Sequence, residues 1–210
     1  MKKIPTLFQR EFTGRRAGPV RDEVREGLEW VLAGGGLATV KIDGSCCMVR
    51  GGALFRRYDA KAGRTPPPHA IPCCDPDPVT GHWPHWVYAK PSQVDNAWHL
   101  AAFFNAGGPR LADGTYEAIG PHFQGNPYGL PCDVLVRHGA DVAADVERTF
   151  DGICGYLRDH AVEGLVFWRD GEPACKIRRR DFGLPWPVIS TERTPSIERV
   201  LAVCGHLKNR

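Results

Sequence analysis

The spacing of apolar residues changes period several times along the chain, and each change predicts an element. Val20, Val24, Leu28, Val31 and Leu32 recur at helical spacing among charged neighbours, which predicts an amphipathic helix over 20–32, stopped by Gly34-Gly35-Gly36. A β-prone run follows at Leu37–Asp43, then Cys46–Val49 and Ala53–Tyr58, the last two joined by Gly51-Gly52, and together these predict a meander. The stretch 64–91 is crowded with proline and predicts an irregular insertion. Beyond it, Asp95 is placed to cap a short helix over Trp98–Phe104 that Gly107-Gly108 ends. Strands are expected at Thr115–Ile119 and Val134–Val136, and a helix over Val146, Phe150, Ile153 and Leu157. A hairpin of Gly164–Trp168 and Ala174–Arg178 turns at Asp170-Gly171.

Helices and strands mix here without the βαβ alternation of a doubly wound sheet. The expected class is therefore α+β with mainly antiparallel sheets. A length of 210 residues suits one generous domain, 1–210. No run reaches the roughly 18 apolar residues of a spanning helix, and no leader is apparent, so a cytoplasmic location away from membranes is expected. The eight cysteines include the adjacent pairs Cys46-Cys47 and Cys73-Cys74 and are expected as reduced thiols. Net charge is only +3, yet residues 1–60 and 171–210 together carry 19 basic and 11 acidic groups, against 8 and 13 in the middle. Basic ends that fold together would favour a phosphate-bearing partner.

Neither a Walker loop nor a dinucleotide fingerprint occurs. Instead Lys41-Ile42-Asp43-Gly44 closes a predicted strand, and alternation sends Lys41 and Asp43 to one side. Composition would supply a Lys-x-Asp-Gly run by chance roughly 0.05 times per chain. Further motifs follow in order: Arg57 in Phe55–Asp59, Glu117 in Thr115–Ile119, Glu163 before Gly164–Phe167, and Lys176 in Cys175–Arg178. A two-residue turn at Asp170-Gly171 would pair Glu163 with Arg178 and Leu165 with Lys176 on one sheet face; a bulge would break that parity.

These motifs, spanning about 37–180, resemble the ATP-dependent RNA ligases of the covalent nucleotidyltransferase superfamily. They are most similar to the compact 5'-to-3' RNA ligase family of vertebrates and some other lineages, which Gly125–Gly129 and Leu184–Pro187 also resemble. The resemblance implies a nucleotidyltransferase (ATP-grasp-like) domain, with two mainly antiparallel sheets flanking a nucleotide cleft and no OB domain. It implies that Lys41 is the nucleophile that becomes adenylylated by ATP, with Lys176 as its catalytic partner. Asp43, Arg57, Glu117, Glu163, Lys176 and Arg178 are then nucleotide contacts, Glu117 at the ribose hydroxyls and Arg57 (or Arg56) at sugar or phosphate. Mg²⁺, with Mn²⁺ as a substitute, would be held at Glu163. The implied partner is RNA with 5'-phosphate and 3'-hydroxyl ends, in RNA repair, with no obligate protein partner. A lysine nucleophile must act as the free base, which burial and neighbouring cations favour. DNA ligation, GTP-dependent capping and a non-catalytic RNA-end or nucleotide-binding module remain alternatives.

Arg178, Arg179 and Arg180, with Arg15 and Arg16, are candidates for the nucleic-acid backbone. Cys46 and Cys47 are read as small strand hydrophobes. His69, Cys73, Cys74, His82 and His85 match no standard zinc spacing, and Trp83, Trp86 and Tyr88 are expected to pack the proline-rich loop onto the body.

Overall fold

The computed structural model describes residues 3–208 except 15, 62, 189 and 191. In chain order its elements are β1 (Phe8–Thr13), β2 (Arg16–Val24), α1 (Glu29–Leu32), β3 (Leu37–Lys41), β4 (Ser45–Arg50) and β5 (Ala53–Ala60). Then come β6 (Ile71–Pro72), β7 (Trp83–Tyr88), α2 (Ala97–Ala106), β8 (Gly114–Ile119) and β9 (Val134–Arg137). The series closes with α3 (Phe150–Asp159), β10 (Gly164–Arg169), β11 (Glu172–Arg178) and α4 (Pro195–Lys208). The class is α+β, and every pairing between the named strands is antiparallel. Among the described residues no helix is long and apolar enough to cross a membrane.

The chain divides into two compact units. One comprises Ile4–Ile42 and Gly139–Ser196 and holds the three-stranded sheet β11-β10-β3 and the hairpin β1-β2. Leu7, Phe8, Ile153, Leu157, Leu165, Phe167 and Ile177 form its core, all of them buried. Thr149 caps α3 by accepting a hydrogen bond from the Gly152 N–H at 3.0 Å, so this helix starts after Val146. The expected helix over 20–32 is absent. Val20 and Val24 lie in β2, paired with Arg10 and Phe8, and Gly27 turns the chain at φ 80°, leaving only the four-residue α1. Gly27 interrupts a continuous helix, whereas pairing with β1 satisfies the backbone of the same apolar positions.

The other unit comprises residues 43–138 with α4 from Ile197 onward, around the six-stranded sheet β6-β7-β5-β4-β8-β9. One face packs Cys47, Val49, Leu54, Tyr116, Ala118 and Leu135 with Ala102 and Phe103 of α2. The stretch 64–91 is not irregular throughout, because Trp83–Tyr88 forms β7, paired along its whole length with Phe55–Ala60 of β5, with Trp86 5% exposed. Asp95 does not cap α2; it lies in a 3-10 turn before Asn96, and no side chain caps that helix. Cys132 and Cys204 form a disulfide, contrary to the expectation of reduced thiols throughout. Their Cα atoms are 5.7 Å apart although 72 positions separate them, so only the placement of α4 reveals the pair.

Candidate active site

In the three-stranded sheet, register decides which side chains meet. Gly164 of β10 pairs with Lys41 of β3 on one side and with Arg178 of β11 on the other; one residue pair along, Val166 lies between Thr39 and Lys176. Lys41, Lys176 and Arg178 therefore share a face, while Leu165 and Ile177 point into the core from the opposite one. The expected hairpin register is off by one. A bulge between Phe167 and Trp168 shifts it, so Leu165 pairs with Ile177 and is fully buried rather than facing Lys176.

Glu163 stands just before β10 and is 3% exposed, and its Oε2 lies 2.5 Å from Lys41 Nζ. Burial pushes the Lys176 amine down from its ordinary value of 10.5 to about 8, with the positive charges of Lys41 and Arg178 adding to the effect. Pro5 and Leu7 hold the backbone of Lys176 by hydrogen bonds of 3.0 and 2.8 Å. Arg178 is positioned by the fully buried Asp181, which accepts from its Nη2 at 3.0 Å and is also bound by Arg10. Gly164 is required by close approach, since a Cβ there would meet the Ile177 carbonyl oxygen at 2.2 Å.

Of the proposed RNA contacts, Arg179 is not available. It is 4% exposed and donates to the carbonyls of Leu157, His160 and Pro185. Arg180 is exposed; Arg16 opens β2; Arg15 lies outside the described residues.

The six-stranded unit carries the remaining expected residues. Asp43 N–H donates to the Tyr128 hydroxyl at 2.7 Å, a bond within this unit that ties residue 43 to the Gly125–Gly129 segment. Gly44 sits so close to β8 that a Cβ would lie 2.2 Å from the Ala118 carbonyl oxygen, which explains the glycine of the Lys-x-Asp-Gly run. Cys46 pairs with Glu117, and the β4-β5 register that opposes Cys47 to Arg56 continues to put Arg57 beside Cys46. Arg57, Cys46 and Glu117 thus form a row on the face away from the core. Arg57 Nε donates to Asp59 at 2.8 Å, and Glu117 Oε2 lies 2.7 Å from His138 Nε2. Burial, then the charge of Glu117, pushes the Cys46 thiol up to about 12.

Sequence reasoning missed Cys46, His138, Tyr128, Asp181 and Arg10. Tyr128 had a signal, since it lies within the Gly125–Gly129 motif; His138 and Asp181 become partners only through strand register and a tertiary turn. His69, Cys73, Cys74, His82 and His85 bring no three metal-ligating atoms together.

Compared with known proteins, the chain is 30% identical to RNA ligase 1 of Danio rerio, 27% to RNA ligase 1 of Rattus norvegicus and 25% to RNA ligase 1 of Pongo abelii. Each match covers 53% of this chain and 44% of the relative, so the chain spans less than half the length of the curated proteins it matches. No protein-family model matches the chain. The three matches support an RNA ligase relationship.

Proposed function

We propose that the chain is an ATP-dependent RNA ligase domain of nucleotidyltransferase type that seals 5'-phosphate and 3'-hydroxyl RNA ends through a lysyl-AMP intermediate. The observation that carries this reading is the Lys41–Glu163 contact, with Lys176 and Arg178 on the same sheet face. A single amine beside one buried carboxylate and two cations is suited to attack on a phosphate.

In the first step the Lys41 nitrogen attacks the α-phosphorus of ATP. A P–N bond forms, the bond to the bridging oxygen breaks, pyrophosphate leaves, and the amine's proton passes to Glu163 or solvent. The RNA 5'-phosphate then displaces Lys41 to give an AMP-capped end, and the 3'-hydroxyl displaces AMP to form the phosphodiester. Lys176 and Arg178 neutralise phosphate charge in each step, while Glu117 and Arg57 take the ribose and sugar–phosphate roles. Glu163 is the carboxylate beside Lys41, whereas Asp181 is bound by Arg10 and Arg178. That donor set fits a Mg²⁺ ion held by one carboxylate, substrate phosphates and water, which would supply further charge neutralisation.

The test is incubation with α-labelled ATP and Mg²⁺, then denaturing electrophoresis. The expected result is a labelled band that pyrophosphate removes and Lys41→Ala abolishes. An unlabelled wild type, or label retained by Lys41→Ala, overturns the reading. Label from GTP in preference to ATP would point to capping, and sealing of DNA in preference to RNA to DNA ligation.

A further inference from the structure

The six-stranded sheet brings together three side chains of a kind that the ligase reading does not need as a set. Cys46 lies directly opposite Glu117 across β4 and β8. Val136 lies opposite Glu117 across β8 and β9, and His138, two residues beyond it, returns to the same face. The Cys46 sulfur, a Glu117 carboxylate oxygen and a His138 ring nitrogen all lie within 4.8 Å of one another. Among the described residues this is the one group of three or more such ligands.

We propose that Cys46, Glu117 and His138 form a binding site for a borderline-soft divalent cation, Zn²⁺ in the first instance. One thiolate, one imidazole and one carboxylate are a donor set that zinc accepts and Mg²⁺ does not. With metal–ligand bonds of about 2.0–2.3 Å, neighbouring ligand atoms of a tetrahedral ion stand roughly 3.3–3.8 Å apart. The 4.8 Å spread therefore needs only a small contraction at the sulfur, and the 2.7 Å Glu117–His138 contact needs a small opening as the ion replaces the proton between them. Binding releases the thiol proton to solvent, shifts the imidazole proton from Nε2 to Nδ1, and leaves a fourth position for water. The Arg57 guanidinium beside Cys46 opposes the incoming cation but stabilises the thiolate that holds it. His138 Nδ1 is buried and has no hydrogen-bond partner among the described residues, so Nε2, already aimed at Glu117, is the ligating atom.

The site uses other residues than the Mg²⁺ role given to Glu163, which belongs to the other unit. It does draw on Glu117. On the ligase reading an occupying Zn²⁺ would withdraw Glu117 from the ribose and slow adenylylation, but binding of the metal alone does not depend on that reading.

The test loads the full chain with Zn²⁺ alone, with ATP absent, and measures stoichiometry after gel filtration and the ligand shell by zinc-edge X-ray absorption. The expected result is one zinc per chain with a single sulfur in its shell. Cys46→Ser should remove the sulfur and weaken binding by at least about 10- to 100-fold, as should His138→Gln, whereas a double Cys73→Ser, Cys74→Ser variant should bind as wild type. A shell with no sulfur or two sulfurs, no binding by wild type, or loss of binding in the Cys73/Cys74 variant overturns the proposal. The absorption measurement is made on unsubstituted protein, so it decides the matter even where a variant fails to fold.

Discussion

Lys41 Nζ lies 2.5 Å from Glu163 Oε2, with the lysine side chain 21% exposed and the glutamate 3%. A carboxylate this buried is favoured by the cation that faces it, and its loss strands that cation. Glu163→Gln keeps the shape and removes the charge. The expected outcome is a fall of about 10²- to 10³-fold in the rate of lysyl labelling, read in single turnover. The change in stability should be modest, about 1–3 kcal/mol by urea denaturation. An unchanged labelling rate would separate Glu163 from the chemistry.

Lys176 makes stability depend on pH. Its folded-state value of about 8 lies below the ordinary 10.5, so between these values the unfolded chain holds a proton that the folded chain has lost. Stability therefore rises with pH across that window, and below it the folded protein bears the cost of a buried charge. The rise is at most about 3 kcal/mol and smaller in proportion to solvent screening of the partly exposed amine. Lys176→Met should be more stable than wild type at neutral pH, with the advantage shrinking towards pH ~10, while labelling is lost. An advantage independent of pH, measured by denaturation at a series of pH values, would contradict this assignment.

Two glycines should respond oppositely to alanine. At Gly164 the added methyl would meet the Ile177 carbonyl at 2.2 Å and Arg178 Cα at 2.9 Å. Gly164→Ala should cost about 1–3 kcal/mol by chemical denaturation and disturb the row from Lys41 to Arg178. Gly155, within α3, has open space around its Cβ position. Gly155→Ala should stabilise by about 0.5–1 kcal/mol.

The Cys132–Cys204 bond ties α4 to the six-stranded unit. For a loop of this length its removal should lower stability by up to about 4 kcal/mol, an effect attributed mainly to the unfolded chain. Thermal unfolding with and without reductant, compared with the double serine variant, checks this. Identical curves would show that the bond contributes nothing.

The meander from Leu37 to Tyr58, the strands at 115–119 and 134–136, and the final hairpin were legible in the sequence because each is a short β-prone run, and the meander and hairpin turn at glycines. The region 20–32 was not. Its apolar positions fit a helical face, yet Gly27 and the partner strand β1 impose an extended chain. The site shows the same division. Lys41, Glu163, Lys176 and Arg178 were each legible as motif positions, but the hairpin parity expected to group them was wrong by one residue because of the bulge at Phe167 and Trp168. What groups them is pairing with β3, more than 120 residues away, and no local pattern encodes that. Cys46, read as a strand hydrophobe, differs from Cys47 only in the face it occupies, and that face acquires its character from Glu117 and His138 on other strands.

On the ligase reading, one amine, that of Lys41, carries AMP covalently. The most direct measurement is peptide mapping by mass spectrometry after incubation with ATP and Mg²⁺ and an acid-free quench. The expected result is a single AMP adduct on Lys41, discharged by pyrophosphate or by 5'-phosphorylated RNA. An adduct on any other residue, or none under conditions where the protein binds ATP, would contradict it.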